Sequence, residues 1–94
     1  MTQSQLKLAA LSMDLKRVAL SYHTNSMQTG LRFAEESMKK VKRIERRDLP
    51  DYIQKLLERV ETVLGQEDKQ KVAEDALMYS TILQNAALTN TINQ

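Results

Sequence analysis

The chain has no cysteine and no tryptophan, one proline, two glycines and one histidine in 94 residues. Each scarcity removes a class of protein. Without cysteine there is no disulfide scaffold, no thiol nucleophile and no Cys-based zinc site, which fits a reducing compartment. So few Pro and Gly residues cannot punctuate the many connections of a sheet, so the composition points to helices. Long apolar runs are also missing. Nothing approaches the roughly 18 apolar residues that span a bilayer, and Met1, Thr2, Gln3 and Ser4 do not open a secretory signal. The expected location is the cytoplasm, with no membrane association. Charge of one sign is scarce too: 14 Lys plus Arg against 12 Asp plus Glu leave +2, so only local clustering could attract an anion.

What is present is helical periodicity. Leu8, Leu11, Leu15, Val18 and Tyr22 recur at spacings of three and four, one stripe of an α-helix. A second stripe, Met27, Leu31, Ala34, Met38 and Val41, points more than a quarter-turn away if the helix runs on straight at about 100° per residue. Thr24, Asn25 and Ser26 are all N-cap types, yet no Pro or Gly forces a break there. Two helices, 3–23 and 26–47, and one bent helix roughly 65 Å long satisfy the pattern equally. Asp48, Leu49, Pro50 and Asp51 mark the clearest boundary, with Pro50 in a first turn and Asp48 as cap. Leu49, Tyr52, Ile53, Leu56, Leu57, Val60, Val63 and Leu64 then form one arc ending at Gly65, a C-terminal stop. Glu67 and Asp68 suit the positive end of a last helix carrying Val72, Ala76, Tyr79, Leu83 and Ala86.

The expectation is an all-α protein, a small bundle of three or four antiparallel helices in one domain, 1–94, with helices near 3–23, 26–47, 49–64 and 67–90 and a polar tail from Thr89 to Gln94 that frays. Expected core positions are Leu8, Leu11, Leu15, Val18, Leu31, Met38, Leu56, Val60, Val63, Val72, Leu77 and Leu83. A core this small is marginal, which favours a partner subunit.

Residues with catalytic chemistry are few. His23 is the only imidazole and has no second His or Cys to work with. The acids come as neighbours, Glu35 with Glu36, Glu67 with Asp68 and Glu74 with Asp75. Adjacent helix positions diverge by about 100° and do not converge on one atom or metal. Neither Glu35 nor Glu74 opens a Glu-x-x-His motif, and Gly30 and Gly65 are isolated, so no phosphate-cradling loop exists. A helix-turn-helix around Gly65 would bring Glu67 and Asp68 against DNA phosphates. The expectation is a protein that is not an enzyme, with no cofactor, no metal and no evident small-molecule substrate.

Two features suggest contact with other molecules. Lys39, Lys40, Lys42, Arg43, Arg46 and Arg47 fall within roughly 160° of arc on a continuous helix. A solvated face explains most of this, because Glu35 and Glu36 precede Lys39 and Lys40 at ion-pair spacing and cations suit a helix C-terminus. Lys42, Arg43, Arg46 and Arg47 remain as candidate contacts to phosphate or to an acidic protein. The second feature is Leu6, Met13 and Leu20 at strict seven-residue spacing, opposite the Leu8 to Tyr22 stripe. A terminal helix apolar on two sides needs a second copy or a partner helix to cover one of them.

The expected function is therefore a non-enzymatic helical interaction module, self-associating, serving as adaptor, regulator or small structural subunit of a larger assembly. The alternative is sequence-independent binding of a nucleic-acid backbone through Lys39 to Arg47 in a nucleoprotein complex.

Overall fold

A computed structural model describes residues 2–89. Among them the chain forms four helices and no strand: α1 (Gln3–His23), α2 (Met27–Arg43), α3 (Asp51–Leu64) and α4 (Lys69–Leu88). The last helix stops at Leu88, where Thr89 turns extended with ψ 162°, short of the expected residue 90; the rest of the expected tail, 90–94, lies outside the described residues.

The start of α1 is fixed by a capping box. Gln5 N donates to Thr2 Oγ1 at 3.1 Å and Thr2 N donates back to Gln5 Oε1 at 2.8 Å, which satisfies two of the orphan donors of the first turn. Its end resolves the ambiguity at residues 24–26 as a break. Asn25 takes φ 62°, the left-handed conformation that Asn tolerates better than other side-chain-bearing residues. Ser26 N then donates to Ser21 O at 2.7 Å and Asn25 N to Tyr22 O at 3.2 Å. This is the Schellman arrangement, so these residues end α1 chiefly as C-cap rather than starting α2 as N-caps. Ser26 flanks α2 without a side-chain cap bond.

The expected helix 26–47 stops at Arg43. Ile44 turns extended, with ψ 123°, and buries its side chain, while Arg46 reaches back to donate to Val41 O at 3.1 Å. A carbonyl of the last turn is thereby satisfied by a guanidinium instead of another helical residue. The next helix begins at Asp51, not 49, with Pro50 at the cap position, and its carbonyl, not the Asp48 side chain, receives Ile53 N and Gln54 N. The last begins at Lys69 rather than 67, with Asp68 accepting from Gln70 N and Lys71 N.

The helices α1 and α4 run antiparallel. Gln5 Nε2 donates to Ala87 O and Thr89 O, both at 3.0 Å, and at the far end Lys69 Nζ lies 5.9 Å from the Tyr22 ring centre. On its other flank α1 pairs antiparallel with α2, where Tyr22 meets Gly30 and Asp14 meets Lys40. The helix α3 packs against both α2 and α4. Because α1 has two neighbours, it buries Gln5, Leu8, Leu11, Ser12, Asp14, Leu15, Val18, Ala19 and Tyr22, more than one face of the helix.

Leu31 and Leu77 are not core residues; they stand 45% and 49% exposed. In α2 the inward line is Gly30, Ser37 and Val41, with Phe33, Ala34 and Met38 half-buried beside it. Small residues let α2 lie close to α1, and Leu31, one step round from Gly30, falls outside. In α4 the line Val72, Ala73, Ala76, Ser80, Leu83, Ala86 and Ala87 is buried, and its small residues bring that helix close to its neighbours in the same way.

Candidate interaction surface

Leu6, Met13 and Leu20 lie 52%, 57% and 54% exposed along one side of α1. Their neighbours on α4 extend them into a surface. Met13 and Leu20 share a shallow groove of about 280 Å3 with Ser80 and Gln84. Leu20 also lines a cleft of about 570 Å3 with Ala19, Tyr22, Met27, Ala73 and Leu77. Leu20 therefore joins the two hollows, and the apolar strip crosses from α1 onto α4 and the first turn of α2. Leu88, eleven residues beyond Leu77 and so on the same side of α4, is exposed as well.

Leu77, Leu88 and Met27 are the members of this surface that spacing alone did not assign to it. A signal for α4 existed: Leu77, Met78, Ile82 and Leu83 point around more than half of a helical wheel. Such a helix cannot bury every apolar residue against one side of a small bundle, and Leu77, Met78 and Ile82 are left exposed.

The four basic candidates do not form one face. Arg46 is withdrawn into the fold, donating to Glu61 Oε2 at 3.1 Å as well as to the Val41 carbonyl. Arg47 sits in the 44–50 connection, off the helix that carries Lys42 and Arg43. Lys39 pairs with Glu36 at 3.6 Å, an i,i+3 pair with both ends exposed. Lys40 crosses to Asp14, whose carboxylate is buried and is held also by Arg17 at 3.1 Å. Taking a carboxylate out of water is costly unless it is paired, so Lys40 is committed to the fold. Among the described residues Lys42, Arg43 and Arg47 have no ion-pair partner.

His23 is exposed and lines the larger cleft together with Glu74. Tyr22, beside it, is 5% exposed, and burial pushes its phenol above the ordinary 10.0. Among the described residues no group of three or more His, Cys, Asp or Glu is placed to hold a metal ion, and no helix is long and apolar enough to cross a membrane.

No protein-family model, curated protein or solved structure matches this chain.

Proposed function

We propose that the protein is a non-enzymatic helical interaction module of the cytoplasm that pairs with a second copy of itself through the α1/α4 face, as an adaptor, regulator or small structural subunit of a larger assembly. The observation that carries this is the joining of Met13 and Leu20 on α1 with Leu77 on α4 through two hollows that meet at Leu20, with Leu6 exposed further along the same side of α1. Scattered apolar residues are ordinary on a protein surface, whereas contiguous ones spanning two helices mark an interaction site.

The magnitude favours a modest complex. Fully burying a Leu or Met is worth about 1.5 to 3 kcal/mol, and these side chains are already half covered, so each adds roughly half of that. Over two copies the four side chains of each come to about 6 to 12 kcal/mol, against an association cost of about 4 to 15 kcal/mol, so micromolar-range pairing requires the flanking surface of α1 and α4 to pack closely as well. The polar border of Lys16, Arg17 and Gln84 suits the rim of such a contact.

Replacing Leu6, Met13 and Leu20 together with Gln tests this by sedimentation and circular dichroism. The expected result is unchanged helix content with the dimer of the parent shifted to monomer. A variant that loses its helix content, or one that sediments as the parent does, would sink the proposal.

The second reading, nucleic-acid backbone binding, has the unpaired Lys42, Arg43 and Arg47 in its favour. With three cations its salt dependence would have a log-log slope of about −3.

A further inference from the structure

A basic groove lies where α1 meets α2, bordering the Leu6 end of the apolar stripe because Ala10 stands one turn on from Leu6, and its members are far apart in sequence. The antiparallel pairing of α1 with α2 sets Lys7 beside Lys40 and Arg43, the three cations rimming a hollow of about 190 Å3. The rest of its lining is Ala10 and Ile44. Lys7 was no part of the basic run that spacing singles out, because it belongs to a different helix.

The charges of this rim are poorly compensated. Lys40 is bound to buried Asp14, while Lys7 and Arg43 both line the groove and have no ion-pair partner among the described residues. Arg43 stands in the last turn of α2, where the helix dipole favours a cation. Lys7 has no such compensation: it lies toward the positive end of α1, whose first turn holds no acid. An anion between Lys7 and Arg43 would relieve both. The floor narrows the choice of anion. Ala10 and Ile44 offer an apolar seat with room for a leucine-sized side chain, for which a phosphate chain has no use. Nucleic acids held without base readout also use exposed aromatic platforms. Here Tyr22 is buried, Tyr79 half-buried, and Phe33 half-buried with the Arg17 guanidinium 5.7 Å from its ring centre; Tyr52 is exposed, but it stands on α3 and does not line this groove.

We propose that the Lys7–Arg43 groove docks an acidic amphipathic helix of another protein. One apolar side chain of that helix enters between Ala10 and Ile44, and carboxylates one turn before and after it pair with Lys7 and Arg43. This is the helix-in-groove mode with charge supplying the selectivity. It does not depend on pairing through the α1/α4 face, which uses other residues of α1.

The test is a titration of the isotope-labelled full chain, followed by amide shifts and by anisotropy of a dye-labelled helical peptide of about 15 residues bearing Leu on one side and Glu three and four residues to either side. Two further probes are the same peptide with every Glu replaced by Gln, and a single-stranded oligothymidylate. The expected result is shifts centred on Lys7, Ala10, Arg43 and Ile44, with affinity falling about tenfold or more for the Gln peptide and for Lys7→Glu/Arg43→Glu. The milder Lys7→Gln/Arg43→Gln should weaken binding in the same direction, which guards against a misfolded double variant. Met13→Gln/Leu20→Gln, which leaves Leu6 beside the groove unchanged, should bind the peptide as the parent does. Shifts centred instead on the α1/α4 face, no shift with the acidic peptide, or tighter binding of the oligonucleotide by these residues with a salt slope of about −2 would each overturn the proposal.

Discussion

At Gly30 the usual rule for glycine in a helix reverses. Alanine there should gain about 0.5 to 1 kcal/mol by propensity alone. A Cβ at this position, however, would sit 2.3 Å from Tyr22 Cε1 and 2.4 Å from Cδ1, so the buried ring would have to leave its packing and shift toward the cleft it borders. Gly30→Ala is expected to destabilise by about 1 to 3 kcal/mol, read as a lower urea midpoint. In a Tyr22→Leu background most of that cost should vanish, and full persistence there would show that the ring is not its cause. The same ring makes a pH prediction. Burial holds the Tyr22 proton more tightly in the folded chain than in the unfolded one. Its contribution is therefore fully present below the unfolded value, about pH 10, and lost as pH rises through the folded one. Phenolate absorbance should show a fraction titrating above pH 10.0 that is absent from Tyr22→Phe.

Among the elements, the α1–α2 turn is the most informative. Thr24, Asn25 and Ser26 look alike as capping residues, and what decides the break is a single backbone conformer at Asn25. Asn25→Gly should be neutral to within about 0.5 kcal/mol, whereas the β-branched Asn25→Val should cost about 1 to 2 kcal/mol at φ 62°. Thermal melts of the two variants compare them directly, and equal midpoints would contradict the Schellman account. The breaks at Pro50 and Gly65 were legible because those residues act locally, through a missing N–H and a weak helix propensity. The end of α2 was not legible, since Arg46 turns back to Val41 only with Glu61 of another helix beside it. Spacing likewise shows which residues share a side, but not which side receives a neighbour. Leu31 and Leu77 therefore fall among the expected core positions, although small residues such as Gly30, Ser37, Ala73 and Ala76 line the close contacts. The α1 stripe was visible as a heptad; its continuation onto Leu77, and the meeting of Lys7 with Arg43, arise only when helices are placed side by side.

For the whole molecule, the consequence of a half-covered apolar strip is that stability and assembly are linked. If pairing buries Leu6, Met13, Leu20 and Leu77, the folded dimer gains free energy that the separate chains lack, and its melting temperature rises with protein concentration. Over a hundredfold range of concentration spanning micromolar, the parent should melt progressively higher and the Leu6, Met13 and Leu20 variant at one temperature. Parallel behaviour of the two would place the linkage elsewhere.

The Gln5 carboxamide, which donates to Ala87 O and Thr89 O, joins the first helix of the described chain to the last, and this sets an order of events during synthesis. The hairpin of α1 and α2 can close over a short loop soon after both emerge from the ribosome. The flank of α1 that meets α4 must wait until the rest of the bundle has been made, so for seconds the nascent chain carries uncovered leucines. A chaperone that binds short apolar stretches should engage stalled chains ending before Lys69 and release those that include α4. Residue for residue, the delay is a property of connectivity, and moving α4 ahead of α1 by circular permutation would shorten it without altering a single core contact.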